Sequence, residues 1–577
     1  MKKKLLPALI VTGLIILVVI IMGITALINK YTPTKKTEDL KEYFNISSDD
    51  EAALIVDNEL SDYKAKIIDK KIYVDYKFVH DSLNSRFYWD ANENVLLYTT
   101  ASDIISAAAD SNSYSVTKQT NDFGYPIVKA TSDSALIALD YVKQYSNITF
   151  KSYDDPARIV ITSKWDEIDS ATVSKSTQVR VKGGIKSPIL KEVKKDDKIT
   201  ILDSGDKWDK VATEDGVIGY IKRKALSESK KTKLTNPDYE EETFTHIKKD
   251  KDICLAWNQV TSQSANSKVP QVISSTKGIN VMSPTWFYLN DNNGNLADIA
   301  SKDYVSYCHS QGIEVWGLFS NLENTDVDAA YVLTHTSTRT TLINQIMSAA
   351  FNYELDGVNI DFENITEAAY GDSYIEFIRE LSIKCHNNGI SLSVDVTVPA
   401  SFNKFFNRSD MAKFADYIVI MGYDEHYKGS DAGSVSSIPW VTEGVESTLK
   451  EVPADQIILG MPFYTRIWEL TPKEDDDAVT DTEDQSKYTV ASQVYSMDAA
   501  AAQLATNNAT AALDEKSGQN YAEWSASNKL YKVWLEDSTS LEKRLKLVDD
   551  NKLAGAAFWK LGFENSSVWD TVIKYLD

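Results

Sequence analysis

Asp361 and Glu363 are two carboxylic acids separated by one phenylalanine at the end of the run Leu355-Asp356-Gly357-Val358-Asn359-Ile360-Asp361-Phe362-Glu363-Asn364. In an extended strand the side chains alternate between faces, so Asn359, Asp361 and Glu363 fall on one side and Val358, Ile360 and Phe362 on the other. Neighbouring acids on a partly buried face disfavour each other's ionised form. A carboxyl held protonated near neutral pH in this way can give its proton to a leaving oxygen. The pattern therefore offers a general acid beside a second carboxyl that orients or polarises a substrate. An isolated D-x-E suits equally well a strand tip whose acids face water or cap the next helix. The ten-residue string is the more specific sign.

Such acids need a scaffold that delivers a strand end to a cleft. Apolar runs read as strands recur at Ile253–Trp257, Ile279–Ser283, Glu314–Phe319, Gly357–Phe362, Ser391–Thr397, Tyr417–Met421, Ile457–Met461 and Gly555–Trp559, with helical periodicity between them, for instance over Thr340–Tyr353 and Tyr374–Asn387. Eight strand and helix units between residues 245 and 577 predict a (β/α)8 barrel, in which chemistry sits at the C-terminal ends of the strands. Glu363 lies at the end of the fourth strand. Closure of the barrel is expected to bring it towards Tyr423 and Asp424, which end the sixth strand, and Trp559, which ends the eighth. Trp286, Asn321, Tyr464 and Arg466 also stand near predicted strand ends. Each of these four reads equally well as a groove residue or as packing. The stretch from Glu469 to Glu536 is too long for a simple loop and predicts an α+β insertion.

The string Asp356-Gly357-Val358-Asn359-Ile360-Asp361-Phe362-Glu363 resembles the D-G-x-D-x-D-x-E signature of glycoside hydrolase family 18, the chitinase-like barrels. Together with Gly422-Tyr423-Asp424-Glu425-His426-Tyr427 and Pro462-Phe463-Tyr464-Thr465-Arg466, it is most similar to the bacterial branch that includes spore-cortex and cell-wall N-acetylglucosaminidases. The resemblance implies Glu363 as proton donor, Asp361 as the acid orienting the substrate's acetamido group and Tyr423 as a hydrogen-bond donor to its oxygen. It implies Trp559 as the floor of the subsite for the sugar being cleaved; Asn359, Asp424, Trp286, Tyr464 and Arg466 are the candidate substrate contacts by their places on the motif strand or near strand ends. One position departs, because Asn359 stands where many chitinases carry Asp. In this family the substrate's own N-acetyl oxygen attacks the anomeric carbon, so the resemblance implies retention of configuration and needs no cofactor and no metal. The substrate class would be a β-1,4-linked N-acetylglucosamine polymer, peptidoglycan before chitin. The alternative is a catalytically silent barrel that binds such polymers as a lectin or wall protein; family members of that kind usually lack the donor glutamate.

The rest of the 577-residue chain predicts several domains. A formal net charge of −23 argues against a nucleic-acid partner. The three cysteines, Cys254, Cys308 and Cys385, form no metal-like cluster and read as buried thiols. After Met1-Lys2-Lys3-Lys4 the chain runs from Leu5 to Ile28 without a charge, which is long enough to cross a bilayer and longer than the usual signal-peptide core. Residues 1–30 are thus expected to be a cytoplasmic tail and single-pass anchor, with everything after Lys30 outside a bacterial cell membrane. Tyr31 to Asp39 and Ser229 to Thr245 read as linkers. Between them, residues 40–165 predict an α+β unit in which a helix and a strand pair occur twice, resembling the stalk-like domain of copper amine oxidases, though without histidines for copper. Residues 170–228, with Gly205-Asp206-Lys207-Trp208-Asp209-Lys210-Val211 and Gly219-Tyr220-Ile221, predict a small β-barrel resembling bacterial SH3-like domains. That module reads equally as a wall-binding unit or a spacer.

Overall fold

The computed structural model describes residues 5–365, 370–473 and 485–576. The tri-lysine start lies outside them. The chain forms two compact units, one of residues Met1–Phe87, Ala107–Tyr114 and Asp122–Glu241, the other of Tyr88–Ser106, Ser115–Asn121 and Glu242–Asp577.

The second unit holds the barrel. Its eight parallel strands are β1 (Ile253–Asn258), β2 (Val281–Leu289), β3 (Glu314–Ser320), β4 (Gly357–Asp361), β5 (Ser391–Thr397), β6 (Tyr417–Met421), β7 (Ile457–Pro462) and β8 (Gly555–Trp559). β8 pairs with both β7 and β1, and β1 pairs with β2, so the sheet closes. Alternation along each strand sorts the side chains into two cores. Ile253, Leu255, Trp257, Val281, Trp316, Leu318, Tyr417, Val419, Ile458 and Ala557 fill the interior. Their outward neighbours, such as Cys254, Met282, Val358, Ile360, Leu392 and Phe558, pack under the helices. The interior is a packed core rather than a pore. Gly357 is dictated by it: a Cβ there would lie 2.5 Å from the Trp316 ring, which stacks on Tyr417. The three cysteines are free and buried.

Two additions complete this unit. Tyr464–Pro472, Tyr488–Ser496, Ala512–Asp514, Gln519–Ala526 and Lys529–Leu535 form a five-stranded sheet with the helix Met497–Thr506. This is the expected insertion, although it starts at Tyr464 rather than Glu469, and residues 474–484 of it lie outside the described residues. The second addition is the sheet of Phe87–Asp90, Val95–Thr99, Ile104–Ala108, Ser113–Val116 and Gln119–Asp122. Its residues were expected within a separate stalk, yet most of them belong to the barrel's unit. The reason is a set of buried polar contacts with the helices Thr336–Tyr353 and Gly371–His386. Thr99 Oγ1 donates to Glu376 at 2.8 Å, Tyr88 Oη meets Ser373 Oγ at 2.9 Å, and Asp90 accepts from the Thr336 amide and hydroxyl at 2.6 Å. Beneath them Arg379 bridges Glu376 and Asp410, and Arg339 pairs with Glu380 at 2.8 Å.

In the first unit the strands Glu51–Val56, Glu59–Ile68, Lys71–Asp75, Val128–Ala130, Ala135–Ala138, Thr149–Tyr153 and Arg158–Thr162 make one sheet. The expected repeat is present as order: the helices Tyr76–Ser82 and Leu139–Tyr145 are each followed by a strand pair, but the two pairs join different sheets. A second sheet of seven strands runs from Glu167–Thr172 to Lys230–Lys233, so the expected linker after Ser229 begins with a strand. The two sheets share a core in which Phe44, Ala53 and Ile55 meet Val179, Leu190, Val211 and Ile221. Arg158 seals it with a 2.5 Å ion pair to Asp215. The apolar helix Leu5–Tyr31 stands at the start; its segment Pro7–Tyr31, 25 residues of mean hydropathy 2.9, is long and apolar enough to cross a membrane, as a signal sequence also can be. The stretch after it is not a free linker: the Thr34 and Glu38 amides donate to the Ile185 and Ile189 carbonyls at 2.8 Å.

Candidate active site

The motif strand β4 places its acids at the mouth of the barrel. Asp356, one residue before it, accepts from the Val315 amide and from His309, each at 2.8 Å, and so anchors the strand's start. Asp361 ends β4, 9% exposed, and its Oδ1 is buried without a hydrogen-bond partner. Burial pushes its carboxyl well above the usual range, and the charges of Asp395, Glu363 and Glu323 add to the shift. Glu363 opens to solvent just beyond the strand. Crowding by the surrounding protein raises its pKa, helped by Asp424 and Glu323. Asn321, at the end of β3, holds the following loop by accepting from the Asn364 amide at 3.2 Å.

Around these acids four aromatic rings form one wall. Trp257 meets Trp559 edge to face at 6.0 Å and Tyr423 at 6.4 Å. Tyr423 meets Tyr464 at 6.2 Å. The Tyr423 hydroxyl is kept protonated to well above its usual pKa by burial and then by the charges of Glu363 and Asp361, so it stays a hydrogen-bond donor. Asp424 has a left-handed backbone, φ 62°, and its Oδ1 accepts from the Tyr464 hydroxyl at 2.5 Å, while Arg466 Nη2 lies 3.9 Å away. The insertion's first strand thus carries Tyr464 and Arg466 to the loop after β6. The structure brings Glu363, Asp361, Tyr423, Asp424, Trp559, Tyr464 and Arg466 to this end of the barrel.

Two residues expected in the groove are not in it. Trp286 is wholly buried on the outer face of β2, donating to Asn266 Oδ1 at 2.8 Å and packed against Tyr304. The register of β2 is irregular between Thr285 and Phe287, and Trp286 and Phe287 both pack in the outer core, whereas Val281 and Ser283 point inward. Asn359 is also wholly buried. Its Oδ1 accepts from Trp257 Nε1 at 3.0 Å and Ser283 Oγ at 2.9 Å, and its Nδ2 donates to Ser393 Oγ at 3.1 Å and Asp395 Oδ1 at 2.7 Å. Every bonding site of the amide is filled, so it braces four strands from inside and leaves nothing for a substrate.

One acid escaped the sequence reading. Asp395, 3% exposed, projects inward from β5 next to the motif strand. Its signal was available: in Ser391-Leu392-Ser393-Val394-Asp395 the polar residues alternate with apolar ones, as they do in β4. Among the described residues no group of three or more His, Cys, Asp or Glu side chains is arranged to hold a metal.

Comparison with known proteins bears on this geometry. Residues 324–564 match the family model of glycosyl hydrolases family 18. The match runs from the loop after β3 past β8 and includes both acids and Trp559. Over 301 residues the chain is 24% identical to the uncharacterized glycosylase YvbX of Bacillus subtilis, covering 49% of this chain and 81% of that relative. Over 287 residues it is 25% identical to the cortical fragment-lytic enzyme of the same species, covering 48% of this chain and 63% of that relative, less than two thirds of its length. A crystal structure of a C-terminal domain from Desulfitobacterium hafniense DCB-2, 18% identical, covers 57% of this chain and 100% of that one with a TM-score of 0.50, which shows the shared barrel fold. The family match and these relatives support a glycoside hydrolase.

Proposed function

We propose that the barrel hydrolyses β-1,4 linkages of N-acetylglucosamine-containing polymers by a substrate-assisted, retaining route. The observation that carries this reading is Glu363 at the mouth of the barrel, with its pKa raised, beside a buried Asp361 whose Oδ1 has no partner in the protein. Glu363 protonates the leaving oxygen. Asp361 receives the acetamido N–H on the free oxygen and stabilises the positive charge as the acetamido oxygen attacks the anomeric carbon. Tyr423 donates its hydroxyl to that oxygen and positions it. Trp559 offers its ring to the sugar's face. Asp424, Tyr464 and Arg466 form a polar rim for neighbouring groups. Water then attacks from the side Glu363 faces, giving its proton to the carboxylate formed in the first step.

Relatives named for lysis of cortical fragments favour peptidoglycan, while a probable di-N-acetylchitobiase of Dictyostelium discoideum among the similar proteins keeps chitin in view. The apolar helix serves as a membrane anchor that leaves both units outside the cell. The sheet of residues 170–228 acts as an SH3-like module that contacts the wall, and the part of residues 40–165 outside the barrel's unit provides a stalk. Mass spectrometry of products from purified peptidoglycan and from chitin oligomers, using the full chain, tests the substrate. New N-acetylglucosamine reducing ends from peptidoglycan support the reading; binding of both polymers with cleavage of neither would make the barrel a lectin.

A further inference from the structure

Asn359 replaces an acid on the motif strand, yet the barrel interior still contains one. Asp395 lies on β5, whose register pairs Asn359 with Ser393 and Ile360 with Val394, so that Asp361 and Asp395 are the next residues along. Adjacent strands are about 4.8 Å apart. Both side chains are buried, at 9% and 3% exposure, and Asp395 Oδ1 is held by Asn359 Nδ2 at 2.7 Å. We propose that Asp395 is the proton partner of Asp361, the two carboxyls holding one proton between them from β5 and β4. The effect on turnover rests on the glycosidase reading; the shared proton does not.

The surroundings leave the pair no other way to balance its charge. Towards it face Glu363 beyond β4, Glu323 beyond β3, Tyr423 beyond β6 and Tyr374 from the helix Gly371–His386, all acidic or neutral. Across Asn359 stand the neutral Trp257 of β1 and Ser283 of β2. No basic side chain among the described residues makes an ion pair with either acid. Two carboxylates side by side in a dry interior cannot both ionise near neutral pH. One proton therefore stays, leaving the pair with a single negative charge wherever the proton sits. When positive charge grows on the substrate's acetamido group, the O–H bond at Asp361 breaks as one forms at Asp395, and Asp361 meets that charge as a carboxylate. The reverse transfer restores the pair. Asn359 fixes the acceptor and is no member of the pair.

The test uses the full chain with carbon-13-labelled aspartate and infrared titration of the carboxylic-acid band. Asp395→Asn keeps the shape and can still accept from Asn359, so a structural role alone would leave the titration unmoved. The pair predicts that the pH at which the last buried aspartic acid ionises falls in Asp395→Asn. It should return in Asn359→Asp/Asp395→Asn, where acid and amide exchange places across the same hydrogen bond. In parallel, kcat of Asp395→Asn should fall about tenfold or more with KM within about twofold, the mark of a contact used in the transition state, and the exchanged variant should recover part of it. An unmoved titration in Asp395→Asn, or one that stays lowered in the exchanged variant, overturns the proposal whatever the activity. A moved titration in a wild type that cleaves nothing upholds the pair and instead removes the glycosidase reading.

Discussion

Glu363 can act as a general acid only while protonated, and its raised pKa favours that form. Glu363→Gln keeps the shape without the acidic proton, so turnover should fall by about two orders of magnitude or more while oligosaccharide binding persists, as kinetics paired with calorimetry would read. A lesser change tests the origin of the shift. Asp424→Asn removes a negative charge that helps raise the Glu363 pKa, while its Oδ1 can still accept from Tyr464. The Glu363 pKa should then drop, and the alkaline limb of the pH profile for kcat/KM should move to lower pH; a limb that stays or rises would show that the charge of Asp424 does not contribute to the shift. At this scale the motif on β4 was legible because consecutive residues carry it. Asp395 was not, because its meaning lies in the residue across the strand. Trp286 was misplaced because the second strand was expected to end at Ser283, whereas it runs on to Leu289 through an irregularity at Thr285–Phe287.

Seven of the barrel strands could be read to within a residue at each end, since runs of period-two residues lie between helices and each strand is buried on both faces, whereas β2, expected at Ile279–Ser283, runs over Val281–Leu289. Harder to see was which element belongs to which unit. Phe87–Asp90 and Val95–Thr99 look like their counterparts Thr149–Tyr153 and Arg158–Thr162, but only the former carry Tyr88, Asp90 and Thr99, whose polar groups fit the barrel helices. Thr99→Val would remove a buried donor to Glu376 and should lower stability by about 1–3 kcal/mol in denaturant unfolding followed by barrel tryptophan fluorescence. No change would mean that the sheet merely rests on the barrel. By the same argument a fragment of residues 245–577 alone leaves Glu376, Ser373 and Thr336 without these partners. It should unfold at lower denaturant than a version that retains residues 88–121.

Across the whole molecule the expected module 170–228 and the part of 40–165 outside the barrel's unit lie in one compact unit, because Ala53 and Ile55 are buried partly by Val179, Leu190 and Ile221. Composition and turn residues mark where strands end, whereas a core shared between neighbouring modules leaves no local sign. Excision of 170–228 should therefore expose that core and destabilise what remains, measurable as a lower unfolding midpoint of the residual sheet; an unchanged midpoint would restore the picture of separate beads. Anchoring is checked by fractionation, which should find the intact chain in the membrane and its barrel removed by protease added to whole cells. Recovery chiefly as a processed soluble form would make the apolar helix a signal sequence. The central claim is that Glu363 and Asp361 cleave a sugar linkage with the help of the substrate's acetamido group. Proton NMR of the anomeric signals during hydrolysis of an N-acetylglucosamine oligomer by the full chain tests it most directly: the β anomer should appear first, and the de-N-acetylated oligomer should remain uncut. First appearance of the α anomer, or equal cleavage of the de-N-acetylated oligomer, would contradict it.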